Sequence, residues 1–168
     1  MLKLKITQQQ IQELLLYDNG KLYWRIKWAR KINIGDEAGT LRNTDGYRQI
    51  MINGQTYRTH RLVYLYHTGT MPAILDHINR DVSDNRLENL REATQAENAY
   101  NSKLRVDNTS GVKGVTWDKA KRKWVARVYA NARVINLGRF ATFDEAVNIV
   151  NLTRNAQHGH FANTGQIQ

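Results

Sequence analysis

Residues 75–101 carry a high density of groups able to move a proton or hold a cation. Asp76 and His77 are adjacent, Asn89 follows twelve residues after His77, and Asn98 follows nine residues after that. A neutral imidazole can take a proton from water near neutral pH. One carboxylate and one amide form an all-oxygen donor pair that suits Mg²⁺ or Mn²⁺ better than Zn²⁺. A divalent cation so held relieves charge on a phosphate and on its leaving oxygen. These are the parts needed to hydrolyse a phosphodiester. Taken singly, each residue has an ordinary structural reading. Asp84, Asn85 and Asn89 read as turn formers, and Asn98 as an amide on a helix surface. Only the joint spacing favours chemistry.

The elements that must position these groups can be read around them. Ala73-Ile74-Leu75 reads as a strand delivering Asp76 and His77 to its end, after Pro72, the only proline, breaks the preceding helix. Asn79 to Asn85 is a polar loop, and Leu87 to Ala93 a second short strand or an irregular segment. Thr94 and Glu97 are spaced as a capping box, so a helix starts near Gln95 and carries Asn98. The pattern predicts strand, loop, strand, helix, with Asp76, His77, Asn89 and Asn98 converging.

Upstream, Thr7 and Gln10 form another capping box and predict a helix over residues 7–17, closed by an Asp18-Asn19-Gly20 turn. Leu22 to Arg25 reads as a strand. Lys27, Arg30 and Lys31 lie in a basic connection that serves equally as a solvated or a DNA-facing loop. Asn53-Gly54 between Tyr47–Ile52 and Gln55–Thr59 is a strong hairpin signal, because a type I′ turn needs positive φ at both central residues. His60 to His67 reads as a helix. Its two histidines are possible ligands, but histidines at helix ends are more often structural.

Downstream, three strands are predicted over Val112–Asp118, Lys123–Tyr129 and Val134–Phe140. A helix follows from Phe143 to about Gln157, opened by a Thr142–Glu145 capping box. Alternation on the middle strand separates Trp124, Ala126 and Val128 from Lys123, Val125, Arg127 and Tyr129, and the charged set faces outward. A basic, aromatic-bearing sheet face suits a DNA groove.

The 168 residues carry a net charge of +10. Residues 103–168 hold 11 Lys and Arg against 4 Asp and Glu, so the excess is concentrated there. That asymmetry points to a polyanion, most often nucleic acid. There are no cysteines, which excludes disulfides, a thiol nucleophile and a cysteine-based zinc site. No stretch approaches the roughly 20 apolar residues of a membrane span. The first ten residues lack the apolar core of a secretion signal. The expected location is the cytoplasm.

Two resemblances sharpen these expectations. His60-Arg61-Leu62-Val63, Asp76-His77-Ile78-Asn79, Asp84 to Arg91 and Glu97-Asn98 resemble HNH endonucleases of the phage and intron homing type. The resemblance implies a ββα-metal motif with His77 as general base. It also implies Asp76 and Asn98 as ligands of one divalent metal, and Asn89 orienting the base or the target phosphate. Asn98 stands where many HNH enzymes have histidine, a substitution usual in the homing subgroup. Ser110 to Trp117, Lys123 to Val128, Asn136 to Phe140 and Thr142 to Ala146 resemble the Apetala-type DNA-binding domain, known from plant transcription factors and attached to phage HNH nucleases. Its DNA contacts would include Lys113, Trp117, Arg127, Tyr129 and Arg133, with Asn136 where an aromatic is common.

The expectation is an α+β protein: an HNH nuclease domain with an N-terminal antiparallel sheet over 1–102, a linker at 103–109, a sheet-and-helix DNA-binding domain over 110–163, and a tail at 164–168. The expected activity is cleavage or nicking of double-stranded DNA at a preferred site, with Mg²⁺ or Mn²⁺, by a monomer or homodimer of phage origin in a bacterial host cell. The alternatives are a catalytically inactive DNA-binding regulator on the same scaffold, and an RNA-binding or structural phage protein. Plasmid nicking with and without EDTA separates the first from both others.

Overall fold

The computed structural model describes residues 6–163, so the expected tail at 164–168 and the first five residues lie outside the described part. The chain is mixed α and β. Its contacts divide into two compact units, Met1–Glu92 and Ala93–Gln168. The boundary expected after residue 102 therefore lies inside the second unit.

In the first unit α1 spans Gln8–Leu14, with the capping box between Thr7 and Gln10 formed in both directions. The helix is shorter than expected. Leu15–Asp18 is strand β1, paired antiparallel with β2 (Lys21–Trp24) from Leu15↔Trp24 to Asp18↔Lys21. The reason is Asn19-Gly20. Both residues have positive φ, 42° and 85°, so they close a hairpin rather than merely stopping a helix. Leu15 and Leu22 are buried by that pairing.

A second sheet is built from β3 (Thr40–Leu41), β4 (Arg48–Ile52) and β5 (Gln55–Arg58), with β4 in the centre. Asn53-Gly54 joins β4 to β5 with φ of 51° and 70°, as the sequence predicts. Helix α2 (Thr59–Thr68) follows without a loop and turns His60, Leu62, Val63 and Leu65 inward. Gly69, at φ 73°, ends it in the left-handed conformation that glycine favours at such caps. Arg61 donates to the carbonyls of Pro72 and Ala73, which ties the chain just before the next strand to α2.

That strand, β6 (Leu75–His77), pairs antiparallel with β7 (Leu90–Glu92) in the register Leu75↔Glu92, Asp76↔Arg91 and His77↔Leu90. Leu75 and Leu90 join one core with Ile11, Leu15, Leu22, Trp24, Ile50, Leu62 and Val63. Residues of α1, β1, β2, β4 and α2 thus anchor a strand pair only three residues long.

The second unit begins with α3 (Gln95–Tyr100), opened by the reciprocal capping box of Thr94 and Glu97. Strands β8 (Val115–Asp118), β9 (Lys123–Ala130) and β10 (Arg133–Phe140) form an antiparallel sheet with β9 in the middle. Helix α4 (Phe143–His158) lies on one face. Val115, Ala126, Val128, Ala130, Ala146 and Val150 make its core, and Trp124 packs edge-on against Phe143 at 4.8 Å. Among the described residues no helix is long and apolar enough to cross a membrane.

Two consequences can be measured. A Cβ on Gly20 would lie 2.8 Å from the Arg86 backbone nitrogen, in a conformation with φ +85°. Gly20→Ala is expected to cost about 1–3 kcal/mol in urea unfolding, from strain and the displaced Asn85–Arg86 backbone together. His60 is 4% exposed. Its pKa is lowered to about 3, first by burial and then by the charges of His77, Arg58 and Arg61. The unfolded chain takes up this proton near 6.5 and the folded chain only near 3. The stability His60 contributes is therefore fully present above pH 6.5. It falls by up to about 1.4 kcal/mol per unit as pH drops toward 3. Urea melts from pH 7.5 to 4.5 should show a shallower decline for His60→Gln than for the parent.

Candidate active site

Successive residues of a strand project to opposite faces, and directly paired residues project to the same face. β6 and β7 turn this rule into a division of labour. His77 lies on the side of Leu75 and Leu90, toward the core, and is 3% exposed. Asp76 lies on the other side with Arg91, its direct partner. Arg91 donates to Asp76 Oδ2 from Nε at 2.9 Å and from Nη2 at 2.8 Å, and both side chains are largely buried. A guanidinium with two donors on one carboxylate oxygen fixes that carboxylate's orientation more tightly than a lysine would.

The His77 ring is enclosed by aromatics. His60 meets it at 5.0 Å with 67° between planes, and Tyr47 at 5.9 Å. Tyr47 is in turn capped by the Arg58 guanidinium, 4.1 Å above its ring. One polar contact of the ring is Nε2 to Asn85 Oδ1, at 3.0 Å, with both residues buried. An amide oxygen only accepts, so it selects the tautomer with the proton on Nε2 and the lone pair on Nδ1. The sequence reading treats Asn85 as a turn former. A buried asparagine in a loop of otherwise exposed polar residues is the structural sign of its role, and nothing in the sequence distinguishes it from Asp81 or Asp84.

Asn89 holds the loop that carries Asn85. Its Oδ1 accepts the Asn79 N–H at 3.0 Å. Its Nδ2 donates to Asn79 Oδ1 at 3.0 Å and to the Asp84 carbonyl at 2.7 Å. The side chain thus bridges both ends of the Asn79–Asp84 loop, and its hydrogen bonds stay there. Asp84 braces the same loop by a two-bond pair with Arg86 and a bond from Asn79, and the Arg86 hydrogen bonds hold its carboxyl down to about 2. Arg80, at φ 67°, makes the tight turn after β6 and donates its N–H to the His77 carbonyl.

Asp76 and His77 sit on β6, and Asn89 ends the short 3₁₀ turn just before β7, all in the first unit. Asn98 sits in the second unit, on α3, exposed, with its N–H bonded to the Thr94 carbonyl. His67 packs edge-on against Tyr17 at 4.4 Å and reads as structural. Lys27, Arg30 and Lys31 are exposed on a loop anchored by Trp28 stacking on Trp24 at 5.4 Å.

Among the described residues no three His, Cys, Asp or Glu side chains converge as a metal cluster. The chemistry of the donor set fits a hard divalent ion that keeps most of its water and gains further oxygens from phosphate, since such ions are commonly held by one or two protein oxygens. It does not fit a closed structural zinc site, which needs four protein ligands.

The expected DNA contacts separate by face. On β9 Arg127 and Tyr129 are exposed on the side away from α4, where Lys123, Val134, Asn136 and Thr116 join them. Trp117 pairs with Trp124, and Arg133 with Ala130, so both project to the side that carries α4. Lys113 precedes β8, and its Nζ donates to the Tyr100 and Ser102 carbonyls. Alternation within one strand does not fix the phase of its neighbours. That requires the register, which the turn lengths set.

The HNH endonuclease family matches residues 57–100, the segment from the end of β5 to the end of α3. Protein 3.8 of Escherichia phage T7 is 36% identical over 107 residues, covering 62% of this chain and 88% of that protein. No solved structure matches the chain. The HNH match implies a nuclease that acts on DNA, as a class that generally uses a divalent metal. By its identity and coverage, the chain belongs to the family of phage T7 Protein 3.8, with an HNH endonuclease domain at residues 57–100.

Proposed function

We propose that the protein is a metal-dependent, homing-type DNA endonuclease that nicks or cleaves duplex DNA at a preferred site. The observation that carries this reading is the buried Asn85–His77 contact within the HNH segment. A buried histidine whose tautomer is selected by a partner held in a stapled loop is a base prepared for one proton transfer.

His77 Nδ1 takes the proton from a water as that water attacks phosphorus. Nε2 remains protonated against Asn85 Oδ1, which stabilises the imidazolium that forms. Asn89 acts through the loop, by keeping Asn85 in reach. Asp76, oriented by Arg91, and Asn98 would hold one Mg²⁺ or Mn²⁺. When bound, that ion supplies charge relief at the phosphate and at the departing oxygen. One site per chain makes a nick in one strand, and a homodimer would cut both.

The C-terminal unit serves as the DNA reader, in the manner of the Apetala-type domain. Its three-stranded sheet with a single backing helix and the exposed Arg127, Tyr129, Lys123 and Asn136 face support this. Trp117 and Arg133 lie on the other side of that sheet, so their contribution would be to phosphates at the sheet's ends.

His77→Ala should abolish plasmid nicking in Mn²⁺ and leave duplex binding within about twofold, whereas EDTA should abolish nicking by the parent. A His77→Ala protein that nicks at the parent rate sinks the mechanism. Asn85→Ala should lower kcat by about 10- to 100-fold with little change in KM, because it frees the tautomer without touching DNA. For the reader, Arg127→Ala should weaken binding and reduce the slope of log K against log salt by about one. Arg133→Ala should move that slope less. The opposite order would reject the open face as the DNA surface.

A further inference from the structure

α3 has six residues and none of them is buried. Isolated helices this short are not stable in water, so its position depends on what holds its ends. At the start, Thr94 Oγ1 accepts the Glu97 N–H, and Glu97 Oε2 accepts the Thr94 N–H at 2.7 Å. At the other end several holds come from the rest of the second unit. The Tyr100 ring lies flat on His158, with centroids 3.7 Å apart and planes within 3°. Tyr100 Oη accepts the Asn131 N–H at 3.2 Å. Lys113 Nζ donates to the carbonyls of Tyr100 and Ser102. Asn163 Nδ2 donates to the carbonyls of Asn101 and Ser102, at 2.8 and 3.0 Å.

These holding groups are themselves fixed. His158 Nε2 bonds the Tyr129 carbonyl at 2.9 Å, and buried Arg154 donates to the Lys113 carbonyl at 2.6 Å. By sequence α3 is the last element of the HNH segment, yet by contacts it belongs to the unit that starts at Ala93. Asn98 lies two residues before Tyr100, within the same helical turn.

We infer that Tyr100, His158, Lys113 and Asn163 are positioning residues for Asn98, so that the folded edge of the DNA-binding unit sets the metal-binding helix of the nuclease. This rests on the proposed role of Asn98 as a ligand. A fraying last turn would swing the Asn98 amide away, whereas a stacked and hydrogen-bonded Tyr100 holds it in place.

The test uses the full chain carrying His77→Ala, bound to an uncut duplex, with Mn²⁺ affinity read from the EPR signal of free Mn²⁺. Tyr100→Ala should weaken Mn²⁺ binding by about tenfold or more, the size expected for a residue supporting a ligand. Tyr100→Phe keeps the stack and should restore most of the affinity. Asn163→Ala removes two hydrogen bonds at the same helix end and serves if Tyr100→Ala does not fold; it too should weaken Mn²⁺ binding. If Asn98→Ala loses Mn²⁺ while Tyr100→Ala, or Asn163→Ala in its place, binds it like the parent, the inference is overturned and the ligand reading stands. If Asn98→Ala itself binds Mn²⁺ like the parent, the ligand reading fails and the inference falls with it.

Discussion

The pairing of β6 with β7 is the constraint on which the rest of the nuclease segment depends. It is three residues long, too short to be stable alone. It persists because Leu75 and Leu90 are part of the first unit's core and because Arg61 ties down the chain before it. Once that pairing is set, strand geometry leaves no freedom. His77 must face inward and Asp76 must face Arg91. A slip of one residue would exchange their faces and turn the carboxylate toward the core. The geometry of the candidate site and the core packing are therefore specified by the same few contacts.

The polar loop between the two strands follows a related logic. It is long enough to wander and rich in residues that bond their own backbone. Asn89 and Asp84 remove that freedom from opposite ends, and Asn85 is left as the residue turned into the interior. A buried amide against a buried imidazole satisfies two groups that would each be costly alone. The hairpin turn at Asn19-Gly20 closes over the same place, and only a residue without a side chain fits there.

Much of this was legible in the sequence wherever one short-range rule governs. The capping boxes at Thr7, Thr94 and Thr142 all form, and Asn53-Gly54 makes its hairpin. The outward set on β9 follows from alternation alone. What escaped the sequence reading depends on partners distant along the chain. Asn19-Gly20 carries the same hairpin signal as Asn53-Gly54, but the helical run before it masked the strand. Trp117 and Arg133 belong to faces that only the register with β9 decides. Asn85 is one polar residue among several until the fold buries it. The attachment of α3 depends on Lys113, Asn131, His158 and Asn163, which no local pattern connects to Tyr100.

β9 is eight residues long and β8 only four, so the far half of the β9 edge has no neighbouring strand. An open edge of this kind invites another chain to add to it. Here the edge is closed by other means. The Arg127 N–H bonds the Gly114 carbonyl, the Tyr129 carbonyl meets His158, and the Asn131 N–H meets the Tyr100 hydroxyl. A Cβ at Gly114 would collide with the Arg127 carbonyl oxygen, which is why the covering loop can lie so close. The contacts that steady a helix therefore also deny the sheet a template for aggregation, so weakening them would be felt as lost solubility.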